Sequence, residues 1–245
     1  MNIIATIEAR MSSSRLPGKV LMEAAGVPML YHLIKRLSKA RFIDDLIIAT
    51  TNNSKDDQIV EFAKKHNINF FRGSEDDVMG RVIGAAEYMN AEVVVEITGD
   101  CPIIDPSIVD QIIFTFLNND VDYVSNVEFR SFPDGMDVQV FKLETLKKSA
   151  NLTNDKKDRE HVTLHIRKNP QLFSRINFVS PTELFWPNLG LTLDEYKDYI
   201  LIKKIIEDFD KKKIEYFSCY EVVDYLKKNT SLTKINEKVL RKGDK

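Results

Sequence analysis

Three cations crowd the segment EARMSSSRLPGK: Arg10, Arg15 and Lys19 fall within ten residues, directly after the short apolar run IIATI at 3–7. A solvated loop has no need of that density of positive charge. Arginine forks onto phosphate oxygens and lysine offers a mobile point charge, so a phosphate chain would use both. Main-chain N–H groups of the serine run could add an anion nest, and Pro17 and Gly18 shape a turn before Lys19. Neither GxGxxG nor GxxxxGK[ST] is present, so this is not a dinucleotide fingerprint or a P-loop. A plain cationic surface loop is the competing account.

Two acids at strand ends are the natural complement. Asp100 closes AEVVVEITGD, and Asp194 closes the strand-like LTLD. Mg²⁺ takes carboxylate, water and phosphate oxygens, often with only one or two protein carboxylates. Asp100 therefore suits a metal beside a triphosphate, with Asp194 as a second ligand. Each could equally cap a turn or the helix that follows, and sequence separation leaves open whether they meet. Asp105, before Pro106, reads as an N-cap. In the middle of the chain Asp137 and the triplet Arg159, Glu160, His161 ask for more than a turn. Arg159 could meet an acidic second substrate or a neighbouring aspartate; His161 could orient a substrate or join a structural network. His161 and His165 lack the HExxH pattern, so zinc is not expected. Cys101 and the lone Trp186 read as packing residues.

The elements that must position these groups follow from periodicity. Strands are expected at 3–7, 44–50, 68–73 and 91–100. Helices are expected from GVPMLYHLIKRLSKA with Pro28 in its first turn, over 54–67, after Ser74 as cap, and from Pro106. This alternation to about residue 120 predicts a mostly parallel, doubly wound α/β sheet, with residues 8–19 beyond the carboxyl end of its first strand. Beyond Tyr123 the rhythm is irregular: a strand at VDYVSN, a strand and helix in MDVQVFKLETLKKSA, a helix over REHVTLHIRKNP, a strand at LFSRINFVSP, a long helix after Asp194 and another at roughly 218–228.

Size and composition set limits. The chain of 245 residues suffices for one α/β domain. Residues 125–190 are expected to be an acceptor-binding or oligomerisation subdomain, and 230–245 a flexible tail. A net charge of −2 gives no basic excess for nucleic acid, and the terminal lysines lack interleaved aromatics. No apolar run reaches membrane-spanning length and the amino terminus does not read as a signal peptide. With two cysteines and no disulfide framework, a reducing cytoplasm is expected.

Six segments in order, EARMSSSRLPGK, FFRGSEDDVMGR, ITGDCPIIDP, FPDGMDVQVF, DREHVT and LTLDEYKD, resemble the cytidylyltransferases that include the spore-coat polysaccharide protein F branch, related to CMP-sugar synthetases for acidic sugars. The likeness spans most of residues 1–205. It implies a three-layer, GT-A-like α/β fold that binds CTP and Mg²⁺, transfers CMP to an acidic acceptor and releases pyrophosphate. By this resemblance Arg10, Arg15 and Lys19 hold the triphosphate, and the backbone around Ala9 and Met11 lies near the nucleotide. Arg72, Ser74, Asp77, Arg81 and Thr98 border the pocket, and Asp100 and Asp194 carry the metal. Arg15, Lys19 and Asp100 are then the catalytic set. Asp137, Arg159, Glu160 and His161 face the acceptor, and two copies pair through the central segment. The same sheet also serves enzymes using UTP or GTP and glycosyltransferases. Three positions depart from the branch: Glu96 and Gly190 stand where arginine is common, and Gly80 where aspartate is common. The loss of two cations motivates a further alternative, a catalytically weak nucleotide-binding or assembly protein.

Overall fold

The computed structural model describes residues 1–241. In chain order the elements are β1 (Ile3–Glu8), β2 (Glu23–Ala24), β3 (Val27–Pro28), α1 (Met29–Leu37), β4 (Asp45–Thr51), α2 (Asp57–Lys65), β5 (Asn69–Gly73), α3 (Val78–Tyr88), β6 (Val93–Thr98), α4 (Pro106–Leu117), β7 (Tyr123–Ser125), β8 (Gln139–Lys142), α5 (Leu143–Leu152), α6 (Lys156–Glu160), α7 (Leu164–Lys168), β9 (Arg175–Asn177), α8 (Tyr196–Lys211), α9 (Cys219–Lys228) and α10 (Thr230–Thr233).

The continuous apolar runs of β1 and β6 are buried residue after residue, as strands covered on both faces must be. Seven strands form one sheet in the order β5-β4-β1-β6-β8-β7-β9. β5, β4, β1 and β6 are parallel; β8 runs antiparallel to both β6 and β7, and β9 is parallel to β7. One face packs on α1, α2, α4, α8 and α9 through side chains such as Leu33, Phe62, Ile112, Ile205 and Leu226. The other packs on α3, α5 and α7 through Val82, Leu146 and Ile166. The result is three layers. Among the described residues no helix is long and apolar enough to cross a membrane.

Sheet order fixes where a ligand can sit. After β1 the chain adds β4 and β5 on one side, then crosses to add β6 on the other. Glu8 pairs in register with Thr98, so β1 and β6 end together and their loops leave side by side. A crevice at such a reversal is the usual ligand site of an open sheet.

Four local expectations differ from the structure. The helix expected from residue 54 begins as a 3₁₀ turn over Ser54–Asp56, because the Asn53 side chain accepts from the Lys55 N–H and tightens that turn; the α-helix starts at Asp57. Asp77, not Ser74, caps α3 by accepting from the Gly80 N–H at 2.9 Å. Ser74 accepts from the Asp77 N–H at 3.1 Å and braces the cap. Pro28 lies just outside α1, as its extended N-cap. Finally, the helix expected over REHVTLHIRKNP is two short helices, α6 and α7, because Val162 adopts φ +40° between them and interrupts the hydrogen-bond ladder. Of the expected flexible tail, residues 230–241 fold back across the sheet's carboxyl edge, and 242–245 lie outside the described residues.

Candidate active site

The cationic loop closes on itself. Gly18 N–H donates to the Met11 carbonyl at 2.9 Å, and Gly18 takes φ +71°, a conformation that favours glycine. That turn starts the 3₁₀ segment Lys19–Leu21 and aims Lys19 back at the sheet edge. From the other direction, Leu193 N–H donates to the Asp100 carbonyl at 2.8 Å. This single backbone bond places the 191–194 segment beside the end of β6.

The two carboxylates therefore meet. Lys19 Nζ lies 2.7 Å from Asp100 Oδ2 and 3.6 Å from Asp194 Oδ1, and Arg15 lies 2.6 Å from Asp194 Oδ1. Burial alone would raise the Asp100 carboxyl, but the Lys19 ammonium, together with hydrogen bonds from Thr98 and the backbone, outweighs it and holds Asp100 below its ordinary value. These groups line a cavity of about 310 Å³ with Ala9, Arg10, Arg81, Thr98, Glu160 and His161. That volume is at the lower end of small-molecule sites.

The donor set suits a hard divalent cation. The Lys19 ammonium lies within ion-pair distance of both carboxylates, so the two acids face one cation position. Among the described residues no group of three or more His, Cys, Asp or Glu converges as a metal cage. Mg²⁺ fits this condition, since it keeps several positions for phosphate and water.

Other residues singled out in sequence have different neighbours. Arg72 does not line the cavity; it donates to the Thr51 and Asn53 carbonyls and to Asp57, tying the end of β4 to α2. Met11 N–H donates to Asp56 at 2.7 Å, which anchors the loop rather than facing the cavity. Arg159 donates to Asp77 at 2.8 Å, so of its two sequence readings the structure supplies the neighbouring aspartate. A Cβ at Gly80 would stand 2.3 Å from Asp77 Oδ2, so glycine there clears space for this pair. Asp77 is held below its ordinary value: burial opposes this, while Arg159 and the Gly80 N–H outweigh it. Arg10 pairs with Glu75 at 3.5 Å on the cavity rim. Asp137 is not a wall residue of the cavity but lies close behind it; burial first, then Asp134, raises it to about 7.

The structure adds three wall residues that the motifs did not single out, and a fourth residue that pairs with one of them. Glu8 ends β1 beside Glu96; burial raises both carboxyls, and the neighbouring Glu96 charge pushes Glu8 further up. A charged residue ending an otherwise apolar strand is its sequence signal. Asp134, explained in sequence as part of a PDG turn, is 7% exposed and accepts from Thr192 at 3.0 Å. Arg130 pairs with Asp134 at 3.5 Å, and Arg241 reaches the same group from the chain's far end. Nothing in the lysine-rich terminal stretch marks Arg241 in advance.

Comparison with known proteins identifies the family of the chain and its fold. The cytidylyltransferase family model matches residues 4–243. An uncharacterized protein of Methanocaldococcus jannaschii is 35% identical over 99% of this chain and 98% of its own. The spore coat polysaccharide biosynthesis protein SpsF of Bacillus subtilis is 32% identical over 84% of this chain and 87% of its own. A solved cytidylyltransferase structure from Leptospira borgpetersenii superposes with a TM-score of 0.88 at 30% identity, covering 98% of each chain. The three-layer α/β architecture is thus the cytidylyltransferase, GT-A-like fold, and the chain belongs to the cytidylyltransferase family.

Proposed function

We propose that this protein transfers CMP from CTP to an acidic small molecule and releases pyrophosphate. The observation that carries this reading is the meeting of Asp100 and Asp194 at Lys19, with Arg15 alongside, in the crevice between the ends of β1 and β6. Asp100 and Asp194 would hold Mg²⁺, which when bound supplies charge neutralisation at the α-phosphate. On CTP binding, Lys19 and Arg15 exchange their carboxylate partners for phosphate oxygens. The acceptor oxygen attacks the α-phosphorus in line, and the bond to the oxygen bridging the α- and β-phosphorus atoms breaks. Arg15 and Lys19 stabilise the charge gathering on the leaving pyrophosphate; Arg10 flanks the α side.

A phosphoryl acceptor arrives ionised and attacks through its own oxygen without a base, whereas an acidic sugar attacks through a hydroxyl that gives up its proton and keeps its ionised acid group for binding. Arg130, 40% exposed on the cavity wall, is the cation we assign to that group. An acidic sugar is the first candidate and a phosphate or phosphonate compound the second. The relative named for spore coat polysaccharide biosynthesis favours the sugar. A hydroxyl acceptor needs a base; of the two candidates His161 lines the cavity, while Asp137, raised to about 7, lies outside its wall.

The deciding experiment incubates purified protein and Mg²⁺ with CTP, UTP or GTP and a panel of acidic sugars and phosphoryl compounds. Pyrophosphate and the CMP-linked product are read by mass. Release with CTP and an acidic acceptor supports the proposal. Preference for UTP or GTP, or tight CTP binding without turnover on any acceptor, contradicts it. We also propose pairing of two copies through the 125–190 segment, where Phe129, Val179 and Phe185 are exposed; sedimentation of a Phe129→Glu, Phe185→Glu variant as a monomer would support this.

A further inference from the structure

Residues 236–241 are built into the site. Leu240 offers its carbonyl to Arg15 at 2.9 Å, and Arg241 is inserted one residue later. The Arg241 side chain is 11% exposed. Its guanidinium lies 2.7 Å from Asp198, 3.8 Å from Asp194 and 3.7 Å from Asp134. Asn236 prepares the path, donating to the Gly190 carbonyl at 2.9 Å and to Asp198 at 2.7 Å. The Leu240 side chain is 69% exposed, so polar contacts to site residues, not an apolar plug at that residue, set the position of this last turn of chain.

Gly190 supplies the space. A Cβ there would stand 1.7 Å from Arg241 Nη2 and 2.2 Å from Cζ. The guanidinium thus occupies the volume that any side chain at 190 would claim. Its main partner, Asp198, is fully buried and accepts the N–H groups of Asp194 (3.2 Å) and Glu195 (2.8 Å). A chain of contacts therefore runs from Arg241 through Asp198 to the backbone of Asp194, while Leu240 holds the arginine that pairs with the Asp194 side chain.

We propose that Arg241 is a positioning residue of the nucleotide site, delivered by the carboxyl-terminal strap into the hollow over Gly190 to set Asp194 and Arg15. It touches no reacting atom. For its binding readout the inference rests on the nucleotidyl-transfer reading; for strap docking it does not.

The test uses the full chain with Arg241→Ala, Arg241→Lys, Gly190→Ala and the double variant Gly190→Arg, Arg241→Ala. CTP affinity is measured by calorimetry with Mg²⁺ and again in EDTA, and strap docking by the rate of tryptic cleavage after Arg241. Removing one partner of a largely buried charge pair is costly, so Arg241→Ala should weaken CTP binding at least about tenfold with Mg²⁺. In EDTA the loss should be markedly smaller. Arg241→Lys should recover little, because lysine lacks the planar fork. Gly190→Ala should expose Arg241 to trypsin and weaken CTP binding in the same direction, and the double variant should regain most of the Mg²⁺-dependent affinity. Unchanged binding by Arg241→Ala overturns the proposal. So does an equal loss with and without Mg²⁺ that the double variant does not restore, which marks a merely structural end. Tighter binding also overturns it, as the strap would then be a plug. Wild-type protein that fails to bind CTP with Mg²⁺ defeats the nucleotidyl reading and the positioning role together; faster cleavage of Gly190→Ala would then establish docking alone.

Discussion

Replacing Lys19 with methionine should move metal binding and turnover in opposite directions. The ammonium stands 2.7 Å from Asp100 and 3.6 Å from Asp194. At an effective dielectric of about 20 those separations correspond to gross attractions on the order of 6 and 5 kcal/mol, before desolvation is subtracted. Lys19 is 11% exposed and its partners 23% and 15%, so removing it leaves two poorly hydrated carboxylates facing each other. Breaking such a pair costs about 3 kcal/mol of folding stability. Methionine keeps most of the stem, so little of this comes from packing. Without nucleotide, the same carboxylates lose an internal competitor and should bind Mg²⁺ or Mn²⁺ more tightly than wild type. With CTP, pyrophosphate release should fall at least about 100-fold, equivalent to about 2.7 kcal/mol, the scale of one lost electrostatic donor. Calorimetric Mn²⁺ titration of the nucleotide-free protein and a coupled pyrophosphate assay read the two effects. Near-wild-type turnover, or weaker metal binding without nucleotide, would refute the assignment of Lys19 as the bridge between the two acids.

Asp100→Asn should lower kcat at least about 100-fold while the protein stays folded, since a neutral amide also removes the partner that Lys19 needs; full activity would remove Asp100 from the site. For Glu8→Gln the pH dependence is diagnostic. Glu8 has a raised folded pKa, so its stabilisation is complete below the ordinary carboxyl value and is lost as pH rises through the folded value. The melting temperature of Glu8→Gln relative to wild type should therefore climb as pH rises above the ordinary carboxyl value; a flat difference contradicts a raised Glu8. Arg159→Met should cost about 1–3 kcal/mol by freeing the half-buried Asp77 cap, yet leave KM for the acceptor within about threefold, because Asp77 already engages its guanidinium. A large acceptor KM effect in urea-stable protein would return Arg159 to the acceptor site.

How much of this was legible in sequence depends on how far each signal had to travel. β1 and β6 were plain, since continuous apolar runs dictate strands buried on both faces. Asp105 and Pro106 likewise announced α4, and Asp105 does accept from Ser107 at 2.8 Å. The cluster of Arg15 and Lys19 marked the loop, but convergence of Asp100 with Asp194 hangs on the Leu193–Asp100 backbone bond, which no local pattern encodes. Ser74 read as the cap of α3, and only the backbone path shows that Asp77 is the residue that reaches Gly80. The break at Val162 was invisible because valine has no preference for φ +40°; tertiary packing imposes it. Two departures from the family pattern acquire a steric reason. Gly80 leaves room for the Asp77–Arg159 pair, and Gly190, where the resemblance expects arginine, admits the guanidinium of Arg241. The third, Glu96, is buried close to Glu8, and burial raises both carboxyls.

The central claim is that Asp100 and Asp194 together hold the cation that accompanies CTP. The most direct measurement is a crystal structure of the protein with CTP and Mn²⁺, using the anomalous signal to locate the metal. One peak within coordination distance of both carboxylates, with Lys19 and Arg15 turned onto phosphate oxygens, is the predicted result. A metal that touches neither aspartate, or a nucleotide seated away from the ends of β1 and β6, would contradict it.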